Sequence, residues 1–256
     1  MNNKYLDLKN IESIKKYRSN NEKEYNYIYR ISNYLTKIGH SLQKDNGTSL
    51  DFYVLSMLSE LELSFQSIII LFERGLLEDA HILIRSFIDK IIRIDYSMKS
   101  DTNYLELVSN SEKSKKKLCE YVIDNKSKFN AELIEKYIER KEEIKKYLSS
   151  LPKEVVKKRL VSEQMCKDIN ISELYYPYMY YSSYTHGDLL HLNNRIICYN
   201  DTTIINLNPI YSDIMKEIEL LLELLKCVIE PICKHYEMDS LNLEFEELYS
   251  DIKKNN

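Results

Sequence analysis

Glycine and proline are almost missing from this chain: four of each occur in 256 residues. Sandwiches, barrels and Gly-rich nucleotide-binding turns need positive-φ positions repeatedly, so this scarcity steers the chain away from all of them. Neither G-x-x-x-x-G-K-[ST] nor G-x-G-x-x-G is present, which removes P-loop and dinucleotide chemistry. At 44% hydrophobic and 30% charged residues, the composition is that of a soluble globular chain, long enough for one large core or two small ones.

Apolar residues recur almost throughout at helical rather than alternating spacing. The pattern predicts helices over 5–17 and 22–42. A long helix capped by Thr48 or Ser49 then runs to about Arg74. Gly75 is placed as its C′ residue, where left-handed geometry is needed, and another helix follows to about Met98. These two form a tight antiparallel hairpin (about 49–98). A helix from Asp101 or Thr102 breaks near 125–128 and resumes over 132–148, and after Pro152 a basic helix over 153–169 is expected. Around 195–207 two β-branched runs flank a turn-like Asn200-Asp201-Thr202, so one minor β-hairpin is expected. Asn208 and Pro209 open a long helix over 210–236, which Pro231 should kink or split. A short helix from about Leu241 ends the chain. The fold class is all-α: a multi-helix bundle forming a single domain over 1–256, with a basic helical insertion at about 101–170.

The N-terminus has no apolar stretch of the secretory type, and the longest strongly apolar run, Leu63 to Phe72, falls short of a membrane span. Five Cys without a C-x-x-C pair look like scattered reduced thiols. A cytoplasmic protein with no membrane partner is expected. Its charge is unevenly spread: 15 Lys/Arg against 8 Asp/Glu between Lys113 and Arg159, and 3 Lys against 11 Asp/Glu from Ser212 to Asp251. Two solvated faces of opposite sign explain this. The alternative is a phosphate-attracting surface, with Lys116, Lys117, Lys157 and Lys158 among its contacts.

Two stretches could carry chemistry. In GLLEDAHILIRSFIDKIIRIDY, residues Arg85, Asp89 and Arg93 follow at i,i+4 spacing with His81 beside them. Arg85 paired with Asp89 would fix the guanidinium plane and leave donors for a phosphate or carboxylate. A solvated salt-bridged face and a buried structural pair are the alternatives. In YYPYMYYSSYTHGDLLH, Ser182 stands one turn before His186, and Tyr181 lies in a run of six tyrosines. His186 suits general acid–base work because its ordinary pKa is near neutral; as a helix-end residue it also suits the dipole. A Ser182–His186 nucleophile pair has no nucleophile elbow around it. The spacing His186-x-Asp188-x-x-His191 is metal-like, but Gly187 interrupts it, so no metal and no cofactor is expected.

R-S-F-I-D at Arg85–Asp89, followed by Y-x-S-x-x-x-H at Tyr180–His186, resembles helical bacterial proteins of unknown function. In them an R-s-x-x-[E/D] helix precedes an S-x-x-x-H-G helix, and the likeness spans roughly residues 50–230. A remoter similarity is to HEPN domains of abortive-infection and toxin systems, many of them metal-independent ribonucleases that dimerise. That resemblance implies an effector that binds and cleaves RNA as a homodimer, in phage defence or as a toxin. Arg85, Asp89, Ser182 and His186 would be catalytic, and His81, Tyr181 and the four lysines would bind substrate. The HEPN spacing of Arg and His is met formally by Arg74 and His81, with Arg85 and His186 as the rival pair. The competing expectation is a non-enzymatic interaction protein: an antitoxin, an immunity factor or a complex subunit.

Overall fold

Thr48 opens the longest helix with a complete capping box: its hydroxyl accepts from the Asp51 backbone N–H, and the Asp51 carboxylate accepts from its own. Such a cap is worth about 1 kcal/mol. The computed structural model describes residues 8–43, 46–185, 196–199, 202–205 and 210–254. Among them eleven α-helices pack together: α1 (Leu8–Asn20), α2 (Glu22–Ser41), α3 (Ser49–Glu73), α4 (Leu77–Lys99), α5 (Asp101–Asp124), α6 (Ala131–Ser150), α7 (Lys153–Lys157), α8 (Ser162–Asp168), α9 (Tyr175–Thr185), α10 (Ile214–His235) and α11 (Asp239–Lys254). The all-α class is as expected.

Gly75 takes φ 67° between α3 and α4, the left-handed geometry that lets the chain reverse at once. The hairpin forms, and α4 becomes the central helix, packed by α3, α5, α8, α9 and α10. Its Ile84, Phe87, Ile88, Ile91 and Ile92 are wholly buried. By length and hydropathy α3 could cross a membrane; here its Val54, Leu58, Leu61, Phe65, Ile68 and Phe72 supply the core face against α2 and α4.

Three expectations change. The basic helix over 153–169 is two helices, because residues 158–161 leave helical geometry. Lys158 reaches Tyr96 Oη and Glu106 Oε2 (both 3.0 Å), and Lys113 Nζ donates to the carbonyls of Val156 and Lys158 (both 2.9 Å). These contacts replace helical bonds across the break. The long C-terminal helix begins at Ile214, where Asp213 caps it, while Ile210 N–H donates to Gly75 O. Pro231 does not split that helix. The loss of one backbone bond is outweighed by the apolar face that Val228, Ile229 and Ile232 bury on either side of it.

The packed body contains no β layer. Ile196–Tyr199 and Thr202–Ile205 pair antiparallel with each other, Ile196 opposite Ile205; the turn between them and Asn208-Pro209 lie outside the described residues. In the basic insertion, α6 packs on α5 and Ile144 is its one fully buried side chain.

Candidate anion site on the open strip of α4

The side of α4 that its neighbours leave partly open carries Arg85, Ser86, Asp89, Lys90 and Arg93. Helix α9 runs antiparallel beside it: Tyr178 and Ser182 meet Arg85, whereas Tyr181 and Tyr184 meet His81 one turn nearer the start of α4. The sequence therefore brings Arg85, Asp89, His81, Tyr181 and Ser182 into one neighbourhood. His186 follows α9 directly and, with Asp188 and His191, lies outside the described residues.

Arg85 is held by neutral groups. Its Nη2 donates to Tyr178 Oη at 2.6 Å, its Nε to Ser182 Oγ at 3.4 Å, and its guanidinium carbon lies 4.9 Å from the Tyr178 ring centroid. The expected bidentate pair with Asp89 is not formed. Asp89 Oδ2 instead takes Arg93 Nε at 2.7 Å, and its Oδ1 accepts from Ser162 Oγ at 3.3 Å. Burial opposes the Arg93 charge, but Asp89 more than offsets it and the guanidinium pKa is raised.

Lys90, which the sequence reading passed over, repeats the pattern. Its Nζ donates to Ser64 Oγ on α3 at 3.0 Å and to Ser86 Oγ at 3.2 Å. Among the described residues no carboxylate lies within 4 Å of Arg85 or Lys90. With Asp89 neutralised by Arg93, α4 keeps two cations oriented by hydroxyls, Arg85 on its α9 side and Lys90 on its α3 side, each suited to an anionic oxygen. The signal that could have found Lys90 was its i,i+4 partner Ser86; Ser64 comes from another helix.

The remaining candidates separate cleanly. The Ser182 hydroxyl donates to Tyr178 O at 2.7 Å while accepting from Arg85, so it serves to position Arg85 rather than to attack. His81 is buried, its ring centroid 4.6 Å from Tyr184 and 5.2 Å from Tyr181. Tyr181 is only 8% exposed, and burial drives its hydroxyl pKa well upward. Neither presents an open surface to a ligand. Arg74 caps α3, and its formal partner His81 is committed to this ring cluster. Cys166 on the inner face of α8 is wholly buried, and burial pushes its thiol up to about 11, removing it as a nucleophile. Among the described residues no group of His, Cys, Asp and Glu could hold a metal ion.

The four lysines do not act alike. Lys158 is taken up by Glu106, Tyr96 and Asp168. Burial works against its charge, but those hydrogen bonds raise its pKa overall. Lys116 lies 3.8 Å from Glu120. Lys117 and Lys157 are exposed and have no carboxylate within 4 Å among the described residues.

Over residues 51–203 the chain matches the family described as "Family of unknown function (DUF5677)". That is more than half of its length, and the chain belongs to this family. The match holds α4 and α9 whole, so the helix pair that builds the site is family structure. No curated protein and no solved structure matches the chain, and nothing in these comparisons links it to HEPN domains.

Proposed function

We propose that this DUF5677 protein is a cytoplasmic RNA-binding effector that holds a phosphodiester against Arg85 and Lys90 and cleaves it without a metal. One observation carries the reading: two cations of α4 are oriented by hydroxyls, Arg85 by Tyr178 and Ser182 and Lys90 by Ser64 and Ser86, with no carboxylate among the described residues to neutralise them. An uncompensated, pre-oriented guanidinium is what a phosphate with developing negative charge needs. The likeness to HEPN domains supports RNA as the anion, and phage defence or toxicity as the setting.

In this reading His186 takes the proton from a ribose 2′-hydroxyl. The 2′-oxygen bonds to phosphorus as the bond from phosphorus to the 5′-oxygen breaks. The leaving 5′-oxygen takes a proton from solvent water, to which His186 later returns its own, and Arg85 stabilises the charge on the phosphoryl oxygens. The products are a 2′,3′-cyclic phosphate and a 5′-hydroxyl. Asp89 fixes Arg93 and Ser162 rather than touching the reacting atoms.

Incubating purified protein with labelled RNA in EDTA tests this. Cyclic-phosphate ends from wild type, and none from Arg85→Gln or His186→Ala, are expected. Intact RNA with wild-type protein overturns the cleavage step.

A second reading, a helical interaction protein, draws on the outward side of α9, where Tyr176, Met179 and Tyr180 are 72%, 49% and 49% exposed. Loss of a protein partner on Tyr176→Ala/Tyr180→Ala, together with intact RNA, favours it.

A further inference from the structure

The strip of α4 does not end at Asp89. Ser162, the first residue of α8, donates to Asp89 Oδ1, and the non-helical residues 158–161 lead back from there to α7. Arg159 is three positions before Ser162, so their Cα atoms are at most about 11 Å apart. Within this stretch the charges alternate in direction. Lys158 is drawn inward to Glu106 and Tyr96, while its neighbours Lys157 and Arg159 are exposed. Among the described residues neither has a carboxylate within 4 Å.

The stretch is also held in place. Lys113 on α5 donates to the carbonyls of Val156 and Lys158 at 2.9 Å each. Lys117 stands one turn further along α5, on the face that meets α7. It too is exposed and lacks a carboxylate within reach among the described residues. Five cations thus sit on connected segments: Lys90 and Arg85 on α4, Arg159 and Lys157 on the stretch that leads from Ser162 back into α7, and Lys117 on α5. Internal bonds take up Asp89, Lys113 and Lys158 between them.

We propose that Arg159, Lys157 and Lys117 extend the α4 site into a track for the backbone of a single RNA strand several nucleotides long. This inference rests on the RNA reading above and adds the size of the ligand: a mononucleotide or very short oligomer engages the strip alone. Phosphate contacts made by exposed cations are sequence-independent and are lost with salt, at about 0.7 in the log–log slope per contact on single strands.

Fluorescence anisotropy with 5′-labelled U4 and U20 tests the proposal on wild-type protein, Lys157→Gln/Arg159→Gln, Lys117→Gln and Arg85→Gln. Thermal melting confirms that each variant is folded. U20 is expected to bind wild type at least about tenfold tighter than U4. The double variant should lower the U20 salt slope by about 1.4 and leave U4 unchanged, with Lys117→Gln lowering it by about 0.7. Equal affinity for U4 and U20 overturns the track. So does unchanged U20 binding by the double variant when Arg85→Gln weakens it, and in that case the α4 site stands. If neither oligomer binds wild type, the RNA reading itself fails, and the track with it.

Discussion

Arg93 Nε lies 2.7 Å from Asp89 Oδ2, and that contact takes the carboxylate which equal spacing along α4 also offers to Arg85. The choice sets the charge of the strip. Arg93 and Asp89 cancel, and Arg85 turns to Tyr178 and Ser182 with its charge intact. Asp89→Asn should therefore act in two opposite ways. Losing the charge-assisted bond lowers stability by about 1–2 kcal/mol, read from the urea midpoint. The strip gains a net positive charge, so RNA affinity at low salt rises. Weaker RNA binding by a folded Asp89→Asn variant contradicts this assignment.

The tyrosine run of α9 separates into packing and surface. Tyr181 is 8% exposed against His81, and Tyr176 is 72% exposed. Tyr181→Ala is expected to cost about 3 kcal/mol, as for other buried aromatics. Tyr176→Ala should stay within about 0.5 kcal/mol of wild type. Denaturant unfolding of the two variants checks the contrast, and similar midpoints would sink it.

Glu217 supplies a pH signature. Burial, with Asp213 adding to it, raises its carboxyl pKa, although the nearby Ser212 hydroxyl works the other way. A carboxyl whose folded pKa lies above its unfolded value binds its proton more tightly when folded. Its contribution to stability is complete below the unfolded value near 4.5 and is lost as pH rises through the folded one. Glu217→Gln removes that loss. The stability of the variant relative to wild type should grow between pH 4 and pH 7 in chemical denaturation, and a pH-independent difference counts against the burial.

Lys158 offers a test of the break between α7 and α8. Its ammonium joins Glu106 and Tyr96, both deeply buried. Lys158→Met strands the Glu106 charge, and an uncompensated buried charge costs about 3–5 kcal/mol. The double change Lys158→Met/Glu106→Gln should recover much of that loss. If the double variant is no more stable than the single one, the pair does not hold the break.

What the sequence made legible was local. The cap at Thr48, the left-handed turn at Gly75 and the stripe of isoleucines each depend on neighbours within a turn or two, so the α3–α4 hairpin could be read directly. Remote packing decided that α10 continues through Pro231 and that the 153–169 helix breaks: the apolar face of α10 in one case, Glu106 and Tyr96 in the other. At the site, Arg85 and Ser182 were both legible from their motifs and do meet. The partner of Asp89 was not, since i−4 and i+4 are equivalent until Tyr178 claims Arg85. Lys90 was missed because Ser64 reaches it from α3. Six tyrosines in ten residues give no sign of which two α4 will cover.

The central claim is that Arg85 and Lys90 together hold a phosphate backbone, and the salt dependence of U20 binding tests it most directly. Against wild type, Arg85→Gln/Lys90→Gln should bind at least about tenfold more weakly near physiological salt, with a slope lower by about 1.4. An unchanged slope and affinity in the folded double variant contradict the claim and leave the strip as ordinary helix surface.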